Sequence, residues 1–194
     1  MKNHLEIILL IAAVAAGIIF APIIAPIYWD EIPQFLIGQY SFNQYASLFD
    51  SVFGTSIADP AEADCEHCPD RNYGAVFEVF VMALGKTAAR LMPGLGWDDL
   101  FIIRHIAVYL VFVFGTYGVY SIARRRLESS FGGILAAALF FLSPRLFGNA
   151  FYNSKDIVFL SFFVLSVNYV LLAADKRRIG SVLLAALFTA LAVS

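Results

Sequence analysis

Hydrophobic and polar positions fall in long blocks along this chain. Four apolar blocks, Leu5–Tyr28, Phe101–Ala123, Phe131–Phe147 with its flanks, and Ile157–Ala174, predict transmembrane helices, because ~20 apolar residues cross ~30 Å of hydrocarbon. A fifth block, Ile179–Ser194, is shorter than that crossing and predicts that the chain continues as part of a longer protein. The predicted fold is therefore an all-α polytopic membrane protein with four complete spans and part of a fifth.

The first apolar block has a cleaved signal peptide as its alternative interpretation. A signal peptide carries an apolar region of ~7–15 residues and a small-residue cleavage site. Leu5–Tyr28 exceeds that length, and no clean small-x-small site follows it. We therefore interpret it as a retained span that Pro22 and Pro26 kink near its far end.

Residues 29–100 form a long polar loop between the first two spans. Asp30–Leu100 holds eleven acidic residues and three basic ones. Within it, the apolar positions of Tyr73–Met92 recur at helical spacing and predict an amphipathic helix on the membrane surface, which Pro93-Gly94 ends. Lys86 and Arg90 are expected to face lipid headgroups.

Positive charge predicts the orientation of the spans. Lys2, Arg124–Arg126 and Lys176–Arg178 share one side if the four spans alternate in direction. The positive-inside rule makes that side cytoplasmic. The N-terminus is then cytoplasmic, and the loop of residues 29–100 and the connector Arg145–Asp156 lie outside, at the plasma (inner) membrane.

Composition supports a membrane protein and argues against a nucleic-acid partner. Of the 194 residues, 60% are hydrophobic and 14% are charged, whereas a soluble domain carries about 25% charged residues. The net charge is −2, and no basic stripe exists outside the short loops. Binding to nucleic acid requires such a stripe, so the expected surroundings are a lipid bilayer.

Ionisable residues collect where apolar blocks end. Asp30 and Glu31 follow the first block, while Arg145, Lys155 and Asp156 bracket the connector between the third and fourth. Charge is costly in hydrocarbon, so such groups are functional-site candidates. The alternatives are that the cations snorkel to headgroups and that the acidic pair caps a helix or starts a solvated loop.

Three further residues have two interpretations each. Glu78 could contribute a carboxylate to a site or simply occupy the polar face of an amphipathic helix, which is the favoured interpretation for the residue alone. Arg104 and His105 lie one turn inside the second span and favour anchoring at the interface over ligand contact. Carboxylates and cations together would suit deprotonation of a hydroxyl and stabilisation of a phosphate leaving group.

The two cysteines, Cys65 and Cys68, lie in an acidic, turn-rich segment of the outer loop. On the oxidising side of the membrane, a structural disulfide is favoured over a redox pair. His67 lies inside the pair, so the c-type haem pattern is absent, and further ligands for zinc are not seen nearby.

The order of these motifs resembles a known family. Trp29-Asp30-Glu31 follows the first helix, Tyr73–Glu78 lies in the outer loop, Arg104-His105 opens the second span, and Leu142–Arg145 leads through Tyr152–Asp156 into the fourth. This order resembles the N-terminal half of GT-C membrane glycosyltransferases, specifically bacterial relatives of dolichyl-phosphate-mannose protein mannosyltransferases and lipid A aminoarabinose transferase. The resemblance covers essentially the whole chain.

The resemblance implies an activity and assigns roles. Family members transfer a sugar, with inversion, from a polyprenyl-phosphate donor to a protein or glycolipid acceptor on the extracytoplasmic face. Asp30 would be the general base beside Glu31, and Asp156 would shape the acceptor or metal site. The expected cofactor, if any, is a divalent cation (Mg, Mn or Zn), with Glu78 as a metal ligand. In the aminoarabinose transferases a lysine follows the corresponding glutamate. In this chain Val79 follows Glu78. The residues implied or expected to contact substrate are Arg145, Lys155, Arg104, His105, Tyr152 and Asn153.

Two other classes of function stay open at this point. A non-enzymatic polytopic protein, such as a transporter half or an assembly subunit, also carries paired charges and proline-broken spans. Such a protein predicts a binding site at the membrane midplane, whereas the polar residues here collect at one face. A membrane thiol-disulfide oxidoreductase would instead depend on Cys65 and Cys68.

Overall fold

The computed structural model describes residues 2–23, 31–59 and 75–194. Every regular element within these ranges is an α-helix, which agrees with the predicted all-α class. In chain order they are α1 (Lys2–Phe20), α2 (Glu31–Phe53), α3 (Val76–Leu91), α4 (Trp97–Arg126), α5 (Ser130–Phe141), α6 (Pro144–Asn149), α7 (Asp156–Lys176) and α8 (Ile179–Val193).

The helices form two compact units. The first comprises Met1–Ala25 and His105–Val193, and the second comprises Pro26–Arg104 with Ser194. Helix α4 contributes to both, because its first residues, Trp97–Arg104, belong to the second unit. We call the first the apolar unit and the second the loop unit.

Two helices of the described chain are long and apolar enough to cross a membrane. They lie over Asp98–Arg126 and Asp156–Lys176, with mean hydropathies of 1.8 and 2.3. The apolar helices at Ile8–Phe20, Ser130–Phe141 and Ile179–Val193 are shorter. This gives weak support to membrane association, and the prediction of four complete spans is not confirmed.

The third predicted span, Phe131–Phe147, is interrupted in the structure. Helix α5 ends at Phe141, and α6 begins at Pro144. Proline lacks a backbone N–H and is favoured at the first position of a helix, where no N–H bond is needed. The prediction of one continuous helix was therefore wrong, because Pro144 starts a new helix.

The long outer loop contains a helix that its polar pattern did not reveal. Helix α2 occupies Glu31–Phe53, and α3 occupies Val76–Leu91 within the predicted amphipathic helix Tyr73–Met92. Gly38 permits close packing of the two, since a Cβ there would lie 3.0 Å from the Glu78 Cβ. The rings of Phe35 and Phe101 stack at 5.4 Å and join α2 to the start of α4.

In the apolar unit, small residues let α4 and α7 approach closely. A Cβ on Gly115 would lie 2.8 Å from the Ser161 Cβ, and one on Gly118 would lie 2.9 Å from a Val164 methyl. Close backbone approach at small residues is a common way for apolar helices to associate. Helix α1 joins this unit through the Tyr109 hydroxyl, which donates to the Ala13 carbonyl at 2.8 Å.

Candidate functional site

Three polar side chains from distant parts of the sequence converge in the loop unit. The Arg104 guanidinium donates to both oxygens of the Glu78 carboxylate, from Nη2 to Oε1 at 2.9 Å and from Nη1 to Oε2. Its Nε lies 3.8 Å from Glu31 Oε1. Glu31, Glu78 and Arg104 are 0%, 4% and 2% exposed. We call these three residues the Glu-Arg-Glu cluster.

The helices place these groups for local physical reasons. Glu31 and Glu78 each lie in the first turn of their helix, where a negative charge interacts favourably with the helix dipole. Gly38 lets the first turn of α3 approach α2. Arg104 projects from α4 into the space between them, so three separate helices fix the cluster.

The cluster combines two carboxylates with one guanidinium and excludes bulk water. Bidentate pairing makes the Arg104–Glu78 contact strong and directional. Burial makes the pairing necessary, since removing one partner from a buried pair leaves an uncompensated charge. The Arg104 guanidinium, which the sequence favoured as an interfacial anchor, therefore contacts buried carboxylates.

A small cavity of about 80 Å³ adjoins the cluster. Its lining includes Glu78, Arg104 and Lys86, and the rest of its wall comes from Phe35, Val81, Met82, Gly85, Ala89 and Leu100. The Lys86 ammonium also lies 5.4 Å from the centre of the Phe42 ring. A mostly apolar wall with a few polar side chains is typical of sites for small molecules.

Gln34 is a buried polar residue that sequence reasoning missed. It is 4% exposed, and its Nε2 has no hydrogen-bond partner in the described part of the chain. It lies three residues after Glu31, so both side chains share one face of α2. That spacing of a glutamate and a glutamine after an apolar block was the signal available in the sequence.

The predicted residues of the connector belong to the apolar unit. The Asn153 Oδ1 accepts from the Asp156 backbone N–H at 2.9 Å, and its Nδ2 donates to the Asp156 carboxylate at 3.0 Å. This reciprocal pair holds the Asp156 side chain at the start of α7. Asp156 and Arg145 are exposed, whereas Tyr152 and Lys155 are half-buried.

The remaining predicted residues divide between the apolar unit and segments outside the described residues. His105 is fully buried and belongs to the apolar unit, although Arg104 precedes it in the loop unit. Asp30, Cys65 and Cys68 lie outside the described residues. That the outer loop and the connector Arg145–Asp156 lie on the same side of the membrane stays a prediction.

Glu78, the predicted metal ligand, is engaged by a cationic side chain. Both of its oxygens accept from the Arg104 guanidinium, whose positive charge repels a second cation at the same carboxylate. Within the described ranges, no three His, Cys, Asp or Glu side chains group as metal ligands would. No step proposed below passes through a metal at Glu78.

Comparisons with protein-family models, with curated proteins and with solved structures found no match.

Proposed function

We propose that this chain belongs to a polytopic membrane glycosyltransferase, which moves a sugar from a polyprenyl-phosphate donor to a hydroxyl acceptor on the extracytoplasmic face. One observation carries the proposal: Glu31, directly after the predicted base, is fixed by a buried ion pair that also holds Glu78. The order of motifs that resembles GT-C transferases, from which Asp30 is assigned as the base, also supports it.

The surface of the apolar unit supports the membrane part of the proposal. Only 39% and 33% of the apolar windows in α4 and α7 are buried. Phe114, Phe159 and Phe163 each expose half or more of their surface. Soluble monomers rarely expose large contiguous apolar patches, so hydrocarbon is the solvent that suits these helices.

The proposed chemistry is a single displacement at the anomeric carbon. Asp30 takes the proton of the acceptor hydroxyl while the acceptor oxygen bonds to that carbon. The bond from the carbon to the phosphate oxygen breaks, and polyprenyl phosphate leaves with the bonding pair. An attack from the face opposite the leaving group inverts the configuration, and no covalent sugar–enzyme intermediate forms.

The Glu-Arg-Glu cluster has a positioning role in this scheme. Glu31 is adjacent to Asp30 in sequence, so its ion pair with Arg104 fixes the residue that follows the proposed base. A misplacement of about 1 Å at a reacting group can cost ~10²-fold in rate. Lys155 and Arg145 are proposed to meet the phosphate, and Asp156, held by Asn153, to meet the acceptor.

An assay of polyprenyl-phosphate release from a sugar-loaded donor by the reconstituted full-length protein tests this function. Asp30→Asn is expected to lower the rate by ~10²–10⁴, the usual contribution of a positioned base. Asp98→Asn, a change at an exposed acid in the first turn of α4, is the matched control. Wild-type turnover by Asp30→Asn would remove Asp30 from the mechanism, and no turnover by the wild type with any loaded donor would remove the transferase.

One observation favours a second candidate, a non-enzymatic membrane protein. Both oxygens of Glu78 are engaged by Arg104, as in an ion pair that serves folding alone. In that case Arg104 variants would misfold, while the wild type would release no polyprenyl phosphate. A function lost in Cys65→Ser with Cys68→Ser, but kept in Asp30→Ala, would instead favour the thiol-disulfide oxidoreductase.

A further inference from the structure

Helices α4 and α7 of the apolar unit border a groove that the proposed sugar transfer does not use. The groove measures about 260 Å³ and begins next to the contact at which a Cβ on Gly118 would lie 2.9 Å from a Val164 methyl. No side chain in its wall is fully buried, so an apolar ligand can reach it from outside the unit. The wall consists of Val119, Ile122 and Ala123 on α4 and Phe163, Val164 and Val167 on α7. We call these six residues the α4–α7 groove.

An exposed ion pair lies at one end of the groove. On α4, Arg126 comes four residues after Ile122 and three after Ala123, so it shares their helix face. Its Nη2 lies 3.6 Å from Asp175 Oδ1 on α7, and the two side chains are 50% and 39% exposed. That distance is too long for a hydrogen bond. The Arg126 guanidinium therefore keeps N–H donors for an acceptor from outside the described chain.

The two arginines that precede Arg126 have other partners. Arg125 Nη2 donates to Asn168 Oδ1 at 2.7 Å, which engages Arg125 in the contact between α4 and α7. Arg124 Nη1 donates to Glu6 Oε2 of α1 at 3.3 Å. The three consecutive arginines at the end of α4 therefore face three different helices or sides of the unit, and Arg126 is the one on the groove side.

Positive charge dominates this end of the two helices. The segment Arg124–Glu128 at the end of α4 holds three basic residues and one acidic residue, and Asp175–Arg178 at the end of α7 holds the same numbers. All of these basic residues except Arg125 are exposed. Basic pockets between apolar helices bind anionic lipid headgroups. The ligand that matches both features joins an apolar chain to a negatively charged headgroup.

We propose that the α4–α7 groove binds one acyl chain of an anionic phospholipid, whose phosphate accepts hydrogen bonds from Arg126. Guanidinium donors match phosphate oxygens in geometry and charge. The excess of basic residues favours a lipid of net negative charge over a zwitterionic one. Helix α4 rises ~10 Å from Val119 to Arg126, so a chain in the groove has its headgroup at the basic end. The inference rests on the proposed membrane location and not on sugar transfer.

Native mass spectrometry of the full-length protein, titrated in detergent with dioleoyl phosphatidylglycerol, tests the headgroup contact. Dioleoyl phosphatidylcholine is the zwitterionic comparison and is expected to bind more weakly. Arg126→Gln is expected to weaken phosphatidylglycerol binding about fivefold. Arg124→Gln is the matched control, because Arg124 is also an exposed arginine paired with one carboxylate, and it is expected to change binding less than about twofold. Equal losses in the two variants would overturn the proposal, since the attraction would then be diffuse.

Two further variants test the carboxylate and the groove. Asp175→Asn removes the negative charge beside Arg126 and is expected to tighten phosphatidylglycerol binding about fivefold, which a purely structural ion pair would not do. Ala123→Phe fills the groove and is expected to weaken the binding of both lipids. Ala186→Phe, at an exposed position of α8, is its control. Weaker binding by Asp175→Asn, or wild-type binding by Ala123→Phe, would overturn the proposal.

The lipid site and the transferase can fail separately. Polyprenyl-phosphate release is measured in its own assay, so phosphatidylglycerol binding that depends on Arg126, without any release, would remove the transferase and leave the lipid site. Release at the normal rate with equal binding of the two lipids would remove the lipid site alone.

Discussion

At the scale of single residues, the Glu-Arg-Glu cluster shows what one guanidinium does when it is buried between two carboxylates. Exposed ion pairs contribute about 0–1 kcal/mol, whereas a buried pair that loses one partner costs ~3–5 kcal/mol. Arg104 is 2% exposed and serves both glutamates. Its loss would leave two like charges facing each other away from water.

Arg104→Met is therefore expected to destabilise the loop unit by about 3–5 kcal/mol. The free energy of unfolding is measured by denaturant titration in detergent micelles, with the protease sensitivity of the loop unit as the observable. Arg90→Met is the matched control, because Arg90 is an exposed arginine near the end of α3. Equal stability of the two variants would show that the cluster carries no folding energy.

Part of this cluster could be predicted from the sequence. The sequence marked all three residues as candidates, but for separate roles. Glu31 was a partner of the base, Glu78 a metal ligand, and Arg104 an anchor. Arg104 and Glu78 are 26 positions apart in the chain, and no periodic pattern connects them. Their pairing depends on how α2, α3 and α4 pack, which is tertiary information that the local pattern lacks.

At the scale of helices, predictions succeeded where one long apolar block formed one helix. The block Ile157–Ala174 matches α7, Asp156–Lys176, to within two residues at each end. Helix α2 was missed because it buries Glu31, Gln34 and Asn43 while exposing large apolar side chains, such as Leu48 and Val52. This inverts the usual rule that apolar residues lie inside, so its pattern resembles a loop.

The packing of α4 on α7 gives a prediction for Gly115. Gly115→Ala is expected to destabilise the apolar unit by ~1–3 kcal/mol, because the new methyl would overpack against Ser161. Gly180→Ala in α8 is the control, since a Cβ there meets nothing within 4 Å. That control is expected to be neutral or to stabilise by up to ~1 kcal/mol through helix propensity. Thermal unfolding in detergent compares the stability of the two variants. A larger loss of stability for Gly180→Ala than for Gly115→Ala would refute the close packing of α4 on α7.

The segment after α2 gives a prediction on pH. Hydrogen bonds from the Thr55 hydroxyl and from the Ala58 and Ile57 N–H groups lower the pKa of Asp50 below its ordinary value. A depressed carboxyl pKa stabilises the fold above the ordinary value, and this contribution is lost as pH falls through the depressed one. Asp50→Asn is expected to remove the protection of the Ile57 and Ala58 amides at pH 7, measured by hydrogen exchange. Unchanged protection would show that the carboxylate does not hold this segment.

At the scale of the whole molecule, the proposed transferase requires that the outer loop and the connector before α7 face the same compartment. The basic residues Arg124–Arg126 end α4, and Lys176–Arg178 follow or end α7. If both helices cross a membrane, the positive-inside rule places these ends in the cytoplasm. The segment after α2 and the short helix α6 then face outward, on the side where a polyprenyl-phosphate donor and its acceptor would meet.

Labelling of single cysteines in intact cells is expected to show this arrangement. With Cys65 and Cys68 changed to Ser, Thr55→Cys and Gly148→Cys should react with a membrane-impermeant maleimide from outside. Both positions are exposed, and Gly148 has open space around it. Leu127→Cys, exposed beyond the basic end of α4, should react only after the cells are opened. Asp30 lies on the chain between α1 and α2, whereas Asp156 begins α7. Reaction of positions 55 and 148 from opposite sides of the membrane would therefore place the proposed base and the proposed acceptor site in different compartments. That result would contradict the transferase mechanism.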